Sequence, residues 1–260
     1  LWQRERRSNM RVESKIWMIA SGKGGTGKST VAVLLGGRLA AQGKKVLLIE
    51  LDSGLRSVDI IAGVYGKTVY DIEDVLAGRC EGSKAVVESP LYPGLSVISA
   101  PYEGGVVRPE ALKVLVDRMT DYFDYLLLDT AAGMGDAFLA AASVSGGALL
   151  VQTPDPVALR DGRIVSDALY EGGMRQIRLV VNRLTGYSFR GGAVRDLDEC
   201  IDTVGAQLIA VIPESRQIQQ AAAGSTALPD GNLAFTALDR LAQRLEGKRV
   251  PLAVPRTGIG

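Results

Sequence analysis

The run Gly22-Lys23-Gly24-Gly25-Thr26-Gly27-Lys28-Ser29 has the spacing G-x-x-x-x-G-K-[ST], and each residue type in it has a task at a phosphate. Glycines leave backbone N–H groups free to wrap phosphate oxygens, and a helix opening at the end of the loop adds the positive end of its dipole. Lys28 is placed to neutralise the β- and γ-phosphates, the Ser29 hydroxyl to ligate Mg²⁺, and Thr30 to donate to an α-phosphate. The context is the one this chemistry needs. A strand-like run, Ile16–Ala20, precedes the loop, and a helix-like segment, Val31–Gln42 ended by Gly43, follows it. Lys23 is the unusual member. A cation there adds little to its own loop, where Lys28 already neutralises phosphate, but it can extend towards a nucleotide held by a second subunit.

Composition removes other chemistries. Histidine is absent from the 260 residues, which excludes a Ser-His-Asp triad, a histidine-ligated zinc and a histidine pH switch. The two cysteines, Cys80 and Cys200, lie far apart with no C-x-x-C, which argues against a disulfide framework or a cysteine-rich metal centre and for a reducing, cytosolic compartment. Thirty Lys and Arg against 29 Asp and Glu leave a net charge of +1, so nucleic acid is not the expected main ligand.

The elements that must position the loop are legible as well. Apolar, β-branched runs recur at Ile16–Ala20, Val46–Ile49, Leu95–Ser99, Tyr125–Leu128, Ala148–Val151, Leu179–Val181 and Leu208–Ile212. Their near-continuous hydrophobicity is that of strands buried on both faces, and helix-like segments such as Pro109–Met119 lie between them. The order predicts a doubly wound α/β fold with a mostly parallel sheet flanked by helices. The uncharged stretch from Ala137 to Pro154 carries Gly146-Gly147, Gln152 and Pro154, and so reads as helix, turn and buried strand rather than as a membrane span. One domain over 16–248 is expected, between an N-terminal arm (1–15) and a C-terminal tail (249–260). For residues 1–9 two readings stand open, a short basic arm and an in-frame ribosome-binding site, since Glu5-Arg6-Arg7 can be encoded by a purine-rich run two codons before Met10. Ligands of such sheets sit at the carboxyl ends of the strands. There this sequence gathers Ser21-Gly22, Glu50 to Asp52, Asp129 and Asn182.

Ser21 to Thr30 resembles the deviant Walker A motif of the MinD/ParA class of P-loop ATPases, of SIMIBI type. Glu50-Leu51-Asp52-Ser53-Gly54-Leu55-Arg56-Ser57-Val58-Asp59 is similar to the switch I pattern D-x-D-x-G-L-R-x-x-D of the MinD-like branch. The likeness continues through Val69-Tyr70-Asp71, Leu128 to Gly133, Thr153-Pro154-Asp155 with Arg160-Asp161, and Val211-Ile212-Pro213-Glu214. The resemblance implies an ATP- and Mg²⁺-dependent homodimer met face to face, with Lys23 of each subunit on the other's phosphates. It also implies that Asp52 positions the attacking water, with a place near the metal as its second role, and that Asp129 holds Mg²⁺ through water. Asn182 matches the residue contacting adenine, with Arg183 and the Pro213 loop counted to the same site; Asp155 and Asp161 match acids that engage the signature lysine in different nucleotide states. The cellular role implied is a slow, partner-stimulated ATPase switch in spatial regulation such as division-site placement. ParA-like DNA partitioning, for which Arg183, Arg190 and Arg195 are the nearest basic cluster, and flagellar-number control are the alternatives.

Three departures bear on that role. Glu50 stands where aspartate is usual and is expected to alter how switch I reaches Lys28 or the metal shell. Ala131 replaces a proline after Asp129, which is expected to loosen switch II. The last helical pattern, Phe235 to Leu245, reads as core packing, and the proline-broken run after it offers no amphipathic face to lipid, so the expected place is the cytoplasm, with peripheral attachment at the inner membrane face left open. No cysteine follows Asp129 closely, which argues against a cluster-bearing electron carrier.

Overall fold

The computed structural model describes residues 16–254, apart from 55, 105, 106 and 225; the expectations for residues 1–15 and 255–260 lie outside the described residues. Eight strands form one sheet: β1 (Ile16–Ala20), β2 (Val46–Glu50), β3 (Val87–Glu88), β4 (Leu95–Ile98), β5 (Tyr125–Asp129), β6 (Gly147–Gln152), β7 (Ile177–Leu184) and β8 (Gln207–Pro213). Their spatial order is β3-β4-β2-β5-β1-β6-β7-β8, and only β3 with β4 is antiparallel. All seven expected strands are present. The two-residue edge strand β3 carries too short a pattern to be seen in sequence, and β7 outruns its expected range because Arg178, Asn182 and Arg183 interrupt its apolar run.

The helices are α1 (Lys28–Ala41), α2 (Ser57–Ile61), α3 (Ile72–Leu76), α4 (Gly82–Ala85) and α5 (Pro109–Met119) in the first half of the chain. The second half carries α6 (Asp136–Val144), α7 (Pro156–Glu171), α8 (Leu197–Val204), α9 (Arg216–Ala222) and α10 (Leu233–Leu245). Alternation within each strand divides the core in two. Met18, Leu126, Leu128 and Leu150 pack with α5, α6, α7 and α8, whereas Ile19, Leu127, Leu149 and Val180 pack with α1, α2, α9 and α10. Helix α1 lies close to the sheet because Gly36 and Gly37 occupy its contact face. A Cβ on Gly36 would stand 2.8 Å from Leu95 Cδ1, and one on Gly37 2.5 Å from the Tyr92 ring. Two glycines inside a helix cost about 1 kcal/mol each, which the burial of Leu34, Leu35 and Leu39 beside them offsets at about 2 kcal/mol per side chain.

The 137–154 stretch is α6, a turn and β6, as expected, and among the described residues no helix is long and apolar enough to cross a membrane. Helix α10 begins at Leu233 rather than Phe235, because Asn232 caps it by accepting from Phe235 N at 2.8 Å. Leu238 and Leu241 are fully buried. The residues after α10 are tied back along it: Arg244 donates to Val250 O at 2.7 Å, and Arg240 to the carbonyls of Pro251 and Leu252.

Candidate functional site

Strand β1 ends where its neighbours diverge: β5, β2 and β4 lie to one side, and β6, β7 and β8 to the other. In an open α/β sheet this is the crevice in which ligands bind. The loop that leaves β1 is shaped by contacts from distant parts of the chain. Ser21 donates its hydroxyl to Lys23 O at 2.8 Å. Gly22 lies against α7 so tightly that a Cβ would stand 2.3 Å from Asp161 O. Gly27 takes φ +91°, which favours glycine, and a Cβ there would also reach 2.5 Å from Asn182 Nδ2. That same amide donates to Thr26 O at 2.8 Å. Helix α1 starts three residues earlier than its apolar pattern suggests, since Lys28, Ser29 and Thr30 form its first turn with Val31 N bonded to Gly27 O. The loop's last glycine therefore leads directly into the N–H groups of a helix terminus.

Charge inside the crevice is unevenly satisfied. Asp129, at the end of β5, is fully buried, and neither carboxylate oxygen has a well-aligned hydrogen-bond partner among the described residues. Burial pushes its carboxyl up to about 7, against the pull of the Ser29 hydroxyl and the Lys28 ammonium; the Asp52 charge pushes the same way as burial. Lys28 itself is buried. A buried, unpartnered carboxylate beside a serine hydroxyl is a donor set that suits a hard cation such as Mg²⁺. Among the described residues no group of three or more acidic, histidine or cysteine side chains could hold a metal without a ligand's help. The remaining ligands would have to be phosphate oxygens and water.

Glu50 pairs in register with Asp129 on the neighbouring strand, yet its side chain turns elsewhere. It accepts from Val58 N at 3.1 Å and from Ala100 N at 3.3 Å. The expectation that its extra methylene alters contact with Lys28 or the metal shell gives way to a different task. Glu50 caps α2, whose N-cap residue Arg56 offers no side-chain acceptor, and binds switch I to the end of β4. Burial raises its carboxyl to about 8, with the Asp129 and Asp59 charges adding to the rise against the two N–H donors. Asp52, two residues on, is half-buried in the crevice mouth.

Arg56 and Asp59 were legible only as members of a pattern, without a role. They form a buried ion pair at 2.7 Å. Arg56 also donates to Thr68 Oγ1 at 2.6 Å and lies 4.0 Å from the centre of the Tyr102 ring, while Asp59 accepts from the Ser99 hydroxyl. Their i,i+3 spacing around an apolar residue was the available signal. Switch I is thus held at both ends, by Glu50 and by Arg56. Switch II is not loose despite Ala131. Thr130 bonds to Ile19 O through both its N–H and its hydroxyl, and Gly133 N donates to Ser21 O at 3.0 Å.

Lys23 is half-exposed and stands 3.8 Å from Asp155 Oδ1. Asp155 caps α7 through Ala158 N and accepts from the Thr153 hydroxyl at 2.5 Å. Burial pushes its carboxyl up, but these hydrogen bonds and the Lys23 charge outweigh it and hold it below the usual range. Asp161, the other expected partner, pairs with Arg160 at 3.2 Å instead, and its backbone rather than its side chain meets the loop at Gly22.

Beyond Thr30 a cavity of about 200 Å³ opens, lined by Gly27, Asn182, Arg183, Pro213 and Ile218 among others. Asn182 is buried with its amide nitrogen committed to the loop, so its oxygen is the atom left for a ligand. Arg183 adopts φ +57°, uncommon for a side-chain-bearing residue, at the rim of this cavity. The structure thus brings together Lys28, Ser29, Asp52 and Asp129 around one end of the crevice and Thr30, Asn182, Arg183 and Pro213 around the other.

Comparison with known proteins fits this geometry. Residues 11–190 match the ParA family model, described as a NUBPL iron-transfer P-loop NTPase. The chain is 32% identical over 243 residues to the septum site-determining protein MinD of Bacillus subtilis (strain 168), covering 91% of each. It is also 32% identical over 243 residues to that of Synechocystis sp., covering 92% of this chain and 91% of the relative. Among solved structures, the MinC:MinD cell division protein complex of Aquifex aeolicus superposes with a TM-score of 0.84 at 33% identity, over 92% of this chain and 98% of that one. With a phosphate loop of this sequence at the switch point of a sheet of this order, the chain belongs to the MinD/ParA family of P-loop ATPases.

Proposed function

We propose that this protein is a MinD-like switch that binds Mg-ATP, dimerises across the nucleotide, hydrolyses it slowly and serves division-site placement. The observation that carries the reading is Lys23: a loop cation held by one partly exposed carboxylate at 3.8 Å, in an exchangeable surface pair rather than a buried one. Exchange of Asp155 for a phosphate of a facing subunit is the step that couples ATP to dimerisation. Lys28 neutralises the β- and γ-phosphate oxygens of its own nucleotide, and the first turn of α1 donates backbone N–H groups to them. Ser29 and Asp129 would hold Mg²⁺, which when bound supplies charge neutralisation between those phosphates. Asp52 orients the water that attacks the γ-phosphorus in line, giving ADP and inorganic phosphate. Positioning and charge suffice for this reaction, so a chain without histidine lacks nothing it needs. The relatives named for septum-site determination, and the one solved with MinC, support a partner protein that docks on the ATP dimer and stimulates turnover.

ParA-like partitioning has less support. Of its candidate basic cluster, Arg195 is already paired with Glu199 at 3.0 Å. Iron transfer, as in the description of the family model, lacks a cysteine pair to carry it: Cys200 is buried and Cys80 stands alone.

Two variants test the reading. Lys23→Ala is expected to bind ATP as a monomer but to lose most dimer and about 10³-fold in turnover, as loss of a trans cation does in other NTPases. Light scattering with ATP against ADP reads the dimer, and unaltered dimerisation sinks the trans role. Asp52→Ala is expected to keep ATP and accumulate dimer while phosphate release stops; unchanged turnover removes Asp52 from the mechanism.

A further inference from the structure

A second site lies at the opposite end of the sheet, at the amino ends of β7 and β8. Strand β7 is eight residues long, so this end is about 25 Å from the nucleotide crevice. A groove of about 380 Å³ there is lined by Arg163, Ser166, Asp167 and Tyr170 of α7, Arg175 and Arg178 before and within β7, and Gln207 of β8. Three guanidiniums and one carboxylate share it, an excess of two positive charges.

Each guanidinium is already oriented. Arg163 Nε donates to both oxygens of Asp167 at 2.8 Å, which leaves its outer nitrogens uncommitted among the described residues. Arg175 donates through Nη1 to Tyr170 O at 2.9 Å and stacks 4.3 Å from the centre of the Tyr170 ring. Arg178 donates through Nη1 to Ile177 O at 3.0 Å. Pre-oriented forks lose less freedom on meeting a ligand than free side chains do. Between them lies Ser166, only 3% exposed, whose hydroxyl has no hydrogen-bond partner among the described residues. A serine inside a helix ordinarily returns its hydroxyl to the carbonyl four residues back, or points to solvent. This one makes no such bond: its oxygen keeps a narrow opening to the groove it lines, where the hydroxyl can donate to a ligand.

We propose that this groove binds a phosphate group, as the dianion or the monoester. Two excess charges match a phosphate dianion, the guanidinium forks match its oxygens, and Ser166 donates to the oxygen that enters deepest. A recessed donor in a groove this size favours a compact group over the flat face of a duplex. Soluble phosphomonoesters and the monoester headgroup of phosphatidic acid both carry the group, and the two sources are separated below. The inference does not depend on the ATPase reading, because no residue of the groove belongs to the crevice.

The test titrates glycerol 3-phosphate into the ADP-saturated full chain by calorimetry, and in parallel measures co-sedimentation with phosphatidic acid vesicles, with phosphatidylcholine vesicles as the control. Binding in either phosphate arm that Arg178→Gln weakens at least about tenfold supports the site, and the responding arm names the source. Ser166→Ala, which alters no charge, is expected to weaken it about fivefold, with melting temperatures checked for both variants. No binding in either arm, or binding that ignores Arg178→Gln, overturns the proposal. Binding that falls with Arg178→Gln and with salt but ignores Ser166→Ala reduces the groove to an unspecific basic patch, which also overturns it.

Discussion

Replacing Lys28 by alanine is expected to weaken ATP binding about 100-fold or more while leaving the fold in place. Truncating one member of a buried, hydrogen-bonded charge pair costs about 2–5 kcal/mol, and the triphosphate has no other buried cation in the crevice among the described residues. The apo protein tolerates the change because Lys28 makes no ion pair among the described residues; its electrostatic partner is Asp129, whose carboxyl would rise further without it. Lys28→Arg is expected to fail nearly as badly, since the wider planar fork does not fit where the ammonium is buried. Equilibrium titration with a fluorescent ATP analogue reads both variants. Wild-type affinity in Lys28→Ala would remove the loop from nucleotide binding and, with it, the whole functional reading.

Asp129→Asn is expected to act in opposite directions on stability and on activity. In the folded protein its carboxyl titrates near 7, far above the ordinary aspartate value. The folded state therefore holds the proton more tightly than the unfolded chain does. Stability is greatest below the unfolded value near 3.9, falls as pH rises towards 7, and stays low above it. The loss is on the order of 4 kcal/mol by pH 8. Glu50, raised to about 8, adds a loss of the same sign. The asparagine variant escapes the Asp129 part of this loss, so its nucleotide-free form at pH 8 should melt on the order of 10 °C above the wild type. The advantage should shrink towards pH 4. Activity should fall about 10–100-fold, the usual effect of losing a residue that orients a metal ligand. Thermal melts across pH with and without Mg-ADP check the first claim, and an advantage that does not depend on pH refutes it.

That conflict explains what the sequence could and could not disclose. Ser29, Lys28 and Asp129 were legible because phosphate chemistry demands those types at those places, and β1, β2 and β5 because five consecutive buried residues leave an apolar run. Glu50 was legible as a departure but not as a cap, since its partner N–H groups belong to Val58 and Ala100, and only folding brings these together. The Arg163–Arg175–Arg178 groove had no signal at all. Its members come from a helix, a turn and a strand, and arginines scattered along a neutral chain read as ordinary solvated surface.

The hydrogen bond from Asn182 to Thr26 spans 156 residues. Two of the surfaces that give the phosphate loop its shape, Asp161 and Asn182, leave the ribosome long after the loop itself. A nascent chain stopped before β7 would carry every residue of the motif and still lack the Asn182 amide that braces it. The shape of the loop thus waits on β7, translated long after the motif itself.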